Sequence, residues 1–177
     1  MEKNQDARSL MREYLIDAVA AENNSESQLI AMSKMGDHAP MKRAFCEHAE
    51  ETKQHVRRLT QRLEEIGGSP STFKTFIAYV MNFGPKIAQF GHDSAEHNTQ
   101  NLIIAYTLES AEVAMYEALA TAATVAGDLQ TAELAREIQK QEEQAARRFW
   151  HMIAPVARAG MIRLSDAQER NPNLTPT

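Results

Sequence analysis

A single cysteine in 177 residues leaves no internal disulfide to form, so packing must hold the chain together, and Cys46 suits a reducing compartment. Glycine (7) and proline (6) are scarce, which leaves little material for turns and implies few, long elements. Aromatics make up only 6% of the chain while hydrophobic residues reach 43%, the balance expected of helices packed through small side chains. No apolar run approaches the roughly 20 residues that span a bilayer. The N-terminal Met-Glu-Lys-Asn-Gln-Asp lacks the apolar stretch of a secretory signal. Dense Lys/Arg stretches are missing and the net charge is −5, which argues against nucleic acid or an anionic membrane as partner. The expectation is a soluble cytoplasmic protein of one domain, residues 1–165, with 166–177 as a flexible tail.

What is present is helical periodicity. Residues 6–35 carry Leu10, Tyr14, Ala18, Leu29 and Met32 close to a 3.6 period, and Gly36 through Pro40 supply a stop and a new start. Residues 40–66 follow with Met41, Phe45, Leu59, Leu63 and Ile66, ended by Gly67-Gly68-Ser69-Pro70. Residues 71–98 are less regular and read as a partly helical crossover. A third helix is expected over 99–126 and a fourth over 129–154, joined at Gly127-Asp128, with Pro155 ending or kinking the last. Two short turns and one long crossover predict an all-α, ferritin-like four-helix bundle in which the second and third helices run parallel.

The third helix breaks its own pattern. Its apolar stripe of Leu102, Tyr106, Val113, Tyr116, Leu119 and Ala123 is interrupted by Glu109 and Glu112, and a core-facing acid is costly unless paired or bound to a cation. The other helices repeat the anomaly. Glu22 follows Ala18 on the first, His48 and His55 lie on the stripe of the second with Glu51 between them, and Glu142 follows Ile138 on the fourth, beside Glu143. Reflecting Glu22 through the first turn lands near Gln54, between Glu51 and His55. Reflecting Glu112 through Gly127-Asp128 lands on Glu143, next to Glu142. The offset of sixteen residues is about 24 Å of helix, so all four helices place acids near mid-height.

Carboxylates and imidazoles at one level suit a pair of divalent first-row ions: iron, manganese, or one of each. In di-iron bundles two helices each give a Glu and the other two give Glu-x-x-His. This chain departs from that scheme. The second helix reads His48-x-x-Glu51 and Glu51-x-x-x-His55, and the fourth has Ala145 and Ala146 where a histidine would stand. Glu109 either supplies the missing ligand or supports another. Tyr14, Tyr106 and Tyr116 are expected in the core with hydroxyls bonded to the carboxylates.

Tyr14-Leu-Ile-Asp17 leading to Ala21-Glu22, Ala44-Phe45 leading to His48-x-x-Glu51-Thr52, Glu109-x-x-Glu112-x-x-x-Tyr116 and Glu142-Glu143 together resemble the YciF/YciE-type proteins. These are bacterial, stress-associated members of the ferritin-like superfamily. The resemblance spans about residues 10–153 and implies a rubrerythrin-like homodimer with a di-metal site. Two functions stay open. In one, a di-iron (or Fe/Mn) centre built from Glu22, Glu51, Glu112 and Glu142, completed by His48, His55 and Glu109, reacts with dioxygen or hydrogen peroxide. In the other, a non-enzymatic stress or interaction protein holds metal only structurally.

Overall fold

The computed structural model describes residues 2–69 and 94–170, and these form four helices: α1 (Glu2–Lys34), α2 (Ala39–Glu65), α3 (Ser94–Ala126) and α4 (Leu129–Arg170). The crossover expected over 71–98 lies outside the described residues except for its last five positions, which form the first turn of α3.

Turn chemistry sets the ends. Gly127 takes φ +76, the left-handed conformation that a side chain disfavours, and lets the Asp128 N–H return to the Ala123 carbonyl at 2.9 Å. Asp128 then opens α4 by accepting from the Thr131 N–H at 3.0 Å. At the other turn, His38 caps α2 by accepting the Met41 N–H on Nδ1 at 3.2 Å, with Pro40 in the first turn. Gly36 there is both left-handed, at φ +68, and crowded: a Cβ would lie 1.9 Å from Asn98 Oδ1.

Pairings across the bundle fix its topology. Arg12 of α1 reaches the Ile66 carbonyl and Arg62 of α2 reaches Asp128, which gathers those termini at one end. Asp37 meets Asn98 of α3 and Arg163 of α4 at the opposite end. The two short turns therefore lie at opposite ends, and α2 and α3 run parallel, as the sequence predicts for a ferritin-like bundle.

Of the two outcomes expected at Pro155, an end or a kink, the end is excluded. The helix does not end there but continues to Arg170, through part of the expected tail. An interior proline costs about 3 kcal/mol through its lost N–H and a steric clash. The inward face nevertheless persists, with Phe149 and Val156 buried and Met152 and Ile153 packed beside them. Tertiary burial on both sides of the proline outweighs the local penalty. Leu10, read as inward, is instead 50% exposed.

The apolar core is split in two. One cluster, around Leu15, Leu59, Leu63, Tyr116, Leu119 and Ile138, fills the end near Asp128. The other, around Leu29, Met41, Phe45, Leu102 and Phe149, fills the end near Asp37. Between them lies a layer of buried polar side chains.

Candidate metal centre

Each helix delivers its polar residue by carrying an apolar stripe and interrupting it at mid-height. On α1, Glu22 sits between Ala18 and Leu29; on α2, His48, Thr52 and His55 occupy one face between Phe45 and Leu59. On α3, Glu109 and Glu112 stand between Ala105 and Tyr116; on α4, Glu142 stands between Ile138 and Phe149. Glu22, Glu109 and Glu142 are wholly buried, Glu112 is 6% exposed, and the two histidines are 1–2% exposed.

Among the described residues, two groups with ligand atoms close enough to hold an ion emerge, and Glu142 belongs to both. The first is Glu22, His55 and Glu142; the second is His48, Glu109 and Glu142. His55 Nδ1 lies 3.3 Å from Glu22 Oε2 and 2.8 Å from Glu142 Oε1. His48 Nε2 lies 2.8 Å from Glu109 Oε2 and 3.2 Å from Glu142 Oε2. The remaining ring nitrogens are held from outside the cluster, His48 Nδ1 by Glu51 at 3.0 Å and His55 Nε2 by Gln141 at 2.9 Å. Phe149 packs its ring edge-on to His48 at 5.8 Å.

Electrostatics follow from burial. Desolvation pushes Glu22, Glu109 and Glu112 above the usual carboxylate range, with neighbouring acids adding to the shift of Glu112. Burial alone would lower both histidines, but the carboxylates outweigh it. Glu109, Glu142 and Glu51 raise His48, and Glu142 with Glu22 lifts His55 to about 10. Glu142, which burial would raise, is pulled down by the two imidazoliums beside it. Without metal, protons thus occupy the cluster where cations could sit.

The donor set fits divalent ions. Glu109 Oε1 and Glu112 Oε2 are buried with no hydrogen-bond partner, a costly arrangement in the absence of a cation, and both oxygens of Glu142 face imidazole nitrogens. Nitrogen and carboxylate oxygen without thiolate match iron, manganese or zinc, and Cys46 is exposed and away from the site.

Of the seven residues read from the sequence, five enter the two groups. Glu112 is buried beside them, while Glu51 faces outward with a 58% exposed side chain, touching the cluster through His48. The choice between the adjacent acids resolves by burial: Glu142 is inward, and Glu143 pairs with Arg147 outside. Tyr116 donates to Glu22 as expected, whereas Tyr106 turns to a tilted ring contact with Trp150 at 5.1 Å and Tyr14 packs half-buried against the core. Gln141 was missed because an amide is not an expected ligand, although its place one residue before Glu142 was a usable signal.

Comparison with known proteins agrees with the fold. The model of a family described as Domain of unknown function (DUF892) matches residues 6–161. The chain belongs to that family. It is similar to a protein of Xanthomonas campestris at 28% identity, covering 90% of this chain and 99% of the other with TM-score 0.76. The Escherichia coli stress protein YciF matches at 19% identity over 86% and 97%, also with TM-score 0.76. A bacterioferritin of Desulfovibrio desulfuricans that has a diiron site matches at 18% over 92% and 89%, with TM-score 0.66. The ferritin-like fold of this DUF892 chain is thereby established. Among its described residues, no helix is long and apolar enough to cross a membrane.

Proposed function

We propose that this DUF892 chain binds two divalent metal ions between its helices, as a di-iron or mixed iron–manganese centre that reacts with dioxygen or hydrogen peroxide. The carrying observation is that Glu142 is shared by two buried groups whose histidines each have the outer ring nitrogen held by another side chain. Holding one ring nitrogen fixes the tautomer and aims the other at a metal. In this reading Glu22 and His55 would hold one ion and His48 and Glu109 the other, while Glu142, which belongs to both groups, would serve both, with Glu112 within the same layer. Glu51 and Gln141 orient the imidazoles.

Charge supports the count. The four buried carboxylates, Glu22, Glu109, Glu112 and Glu142, carry four negative charges when ionised. Two divalent ions balance these with both imidazoles neutral. Iron held there would supply electrons to a small oxidant, while the chain's own part is to exclude bulk water, hold the ligands and release to solvent the protons that the ions displace. The resemblance to a stress protein supports a protective role in a reducing cytoplasm, and a homodimer is the assembly we expect.

Elemental analysis of freshly purified protein, followed by ferrous titration of the metal-free form, tests this. Two ions per chain, lost in Glu142→Ala, are expected. No stoichiometric uptake, or uptake indifferent to that substitution, overturns it. Sedimentation separates a dimer from a ferritin-type shell.

A second reading rests on Ala145 and Ala146, which leave α4 with one carboxylate to serve both ions. Such a ligand-poor centre suits a structural metal in a non-enzymatic interaction protein. Bound metal without oxygen or peroxide consumption would favour it.

A further inference from the structure

Ser25 and Thr52 are each 1% exposed, and neither hydroxyl has a hydrogen-bond partner in the protein. Helical hydroxyls ordinarily satisfy themselves on the preceding turn. Ser27, Ser33, Thr107, Ser110 and Thr124 do so here, donating to carbonyls three or four residues back at 2.7–2.9 Å. The two buried deepest in the polar layer do not.

Their position is specific. Contact between Glu22 and His55 sets the level at which antiparallel α1 and α2 meet. Ser25, three residues after Glu22, therefore stands opposite Thr52, three residues before His55. The Tyr116–Glu22 hydrogen bond likewise brings Glu112, four residues before Tyr116, to the turn of α1 that carries Ser25. Glu112 Oε2 is also unpartnered. Three buried polar groups from three helices thus share one height, beside the group of His48, Glu109 and Glu142, to which α1 contributes no ligand.

We propose that the Ser25 and Thr52 hydroxyls hold a small exogenous oxygen ligand, namely water, hydroxide or hydrogen peroxide, on the α1–α2 side of the His48 ion. This rests on the metal-centre reading above. The hydroxyls donate to the ligand's lone pairs, with the carboxyl of Glu112 at the same height. They are positioning residues, with no bond made or broken at either.

The test uses cobalt-loaded protein and sodium azide, a small anion that accepts hydrogen bonds and perturbs the visible cobalt bands. Thr52→Val preserves shape without the hydroxyl, and Ser25→Ala removes the other. Expected are unchanged cobalt stoichiometry, azide dissociation constants raised about tenfold in each variant, and a metal-free Tm that holds or rises, since the deleted groups have no protein partner. Full cobalt loading with unchanged azide affinity, or no azide complex in the wild type, overturns this proposal alone. A fall in the metal-free Tm of Thr52→Val also overturns it, by showing that the hydroxyl is structural. Failure of the wild type to take up cobalt overturns the metal-centre reading, and this proposal with it.

Discussion

Glu142 Oε1 lies 2.8 Å from His55 Nδ1, and the other oxygen of the same carboxylate lies 3.2 Å from His48 Nε2. One side chain on α4 thus spans two imidazoles that are seven residues apart on α2, about 10 Å along the helix. Glu142→Gln keeps the shape and removes the charge. We expect metal content to fall from two ions per chain to less than one, measured by elemental analysis. Metal-free protein should lose about 3 kcal/mol in urea unfolding, the scale for deleting one partner of a buried ion pair.

Stability of the metal-free protein should decline with rising pH. His55 is raised from 6.5 to about 10, so its contribution is complete below pH 6.5 and is lost as pH rises through 10. Glu109 is raised from 4.5 by burial, so the folded form binds an extra proton above that pH, and stability again falls as the group ionises. Glu142 has the opposite sign, but its window lies below pH 4.5. Calorimetry should therefore show a falling Tm from pH 6.5 to 10. Metal must displace these protons, so manganese(II) or zinc(II) should bind more tightly as pH rises and should release protons measurable by pH-stat. A metal-free Tm that climbs across this range would contradict the charge assignment.

The Tyr116 hydroxyl donates to Glu22 inside the core, with no solvent to replace it. Tyr116→Phe should cost about 1–2 kcal/mol, because the ring still packs and only the hydrogen bond is lost. Glu22 remains, so metal stoichiometry should persist. A variant of wild-type stability that no longer binds metal would instead make Tyr116 part of the ligand shell.

Arg62 ties the end of α2 to the α3–α4 turn. It reaches both oxygens of Asp128 at 2.8 Å, Thr131 at 2.8 Å, and Glu65 and Gln130 at 2.9 Å. A lysine cannot span these acceptors with one ammonium group. Arg62→Lys should lower the urea midpoint by an equivalent of about 1–2 kcal/mol while leaving metal content intact. Asp128, which burial would raise, is held below its ordinary 3.8 by Arg62 and Thr131. Its stabilisation is present above that pH and fades as pH falls further, so the substitution should also advance acid unfolding.

The bundle and the level of the site were legible because acids on apolar stripes are costly, and four helices repeated the anomaly at matching distances from their turns. Side-chain direction was less legible. The spacing of Glu51 to His48 and His55 implies an inward acid, yet it lies about 60° round the helix from the face those residues share with Thr52. Adjacent Glu142 and Glu143 could not be separated by a broad stripe; Arg147, four residues after Glu143, draws that acid outward. Gln141 became visible only through its contact with His55. The hydroxyls of Ser25 and Thr52 lay in plain view, but their failure to bond their own backbones is a matter of conformation, which spacing does not encode.

Pro155 gives the sharpest test of local against tertiary preference. Sequence reasoning ends or kinks the helix there, whereas α4 runs fifteen residues further, to Arg170. If burial of Phe149 and Val156 holds the helix together across the break, the proline is a tolerated cost and not a hinge. Pro155 itself is exposed, so Pro155→Ala restores an N–H toward the His151 carbonyl without disturbing the core. The substitution should stabilise the protein, by at most about 3 kcal/mol, seen as a higher Tm with unchanged metal content. Truncating Val156 to Ala should act oppositely, costing about 1–2 kcal/mol and loosening amide protection beyond residue 155 first. Equal loss of protection along all of α4 would show that the C-terminal segment is not a separately held extension but one cooperative unit with the helix that carries Glu142.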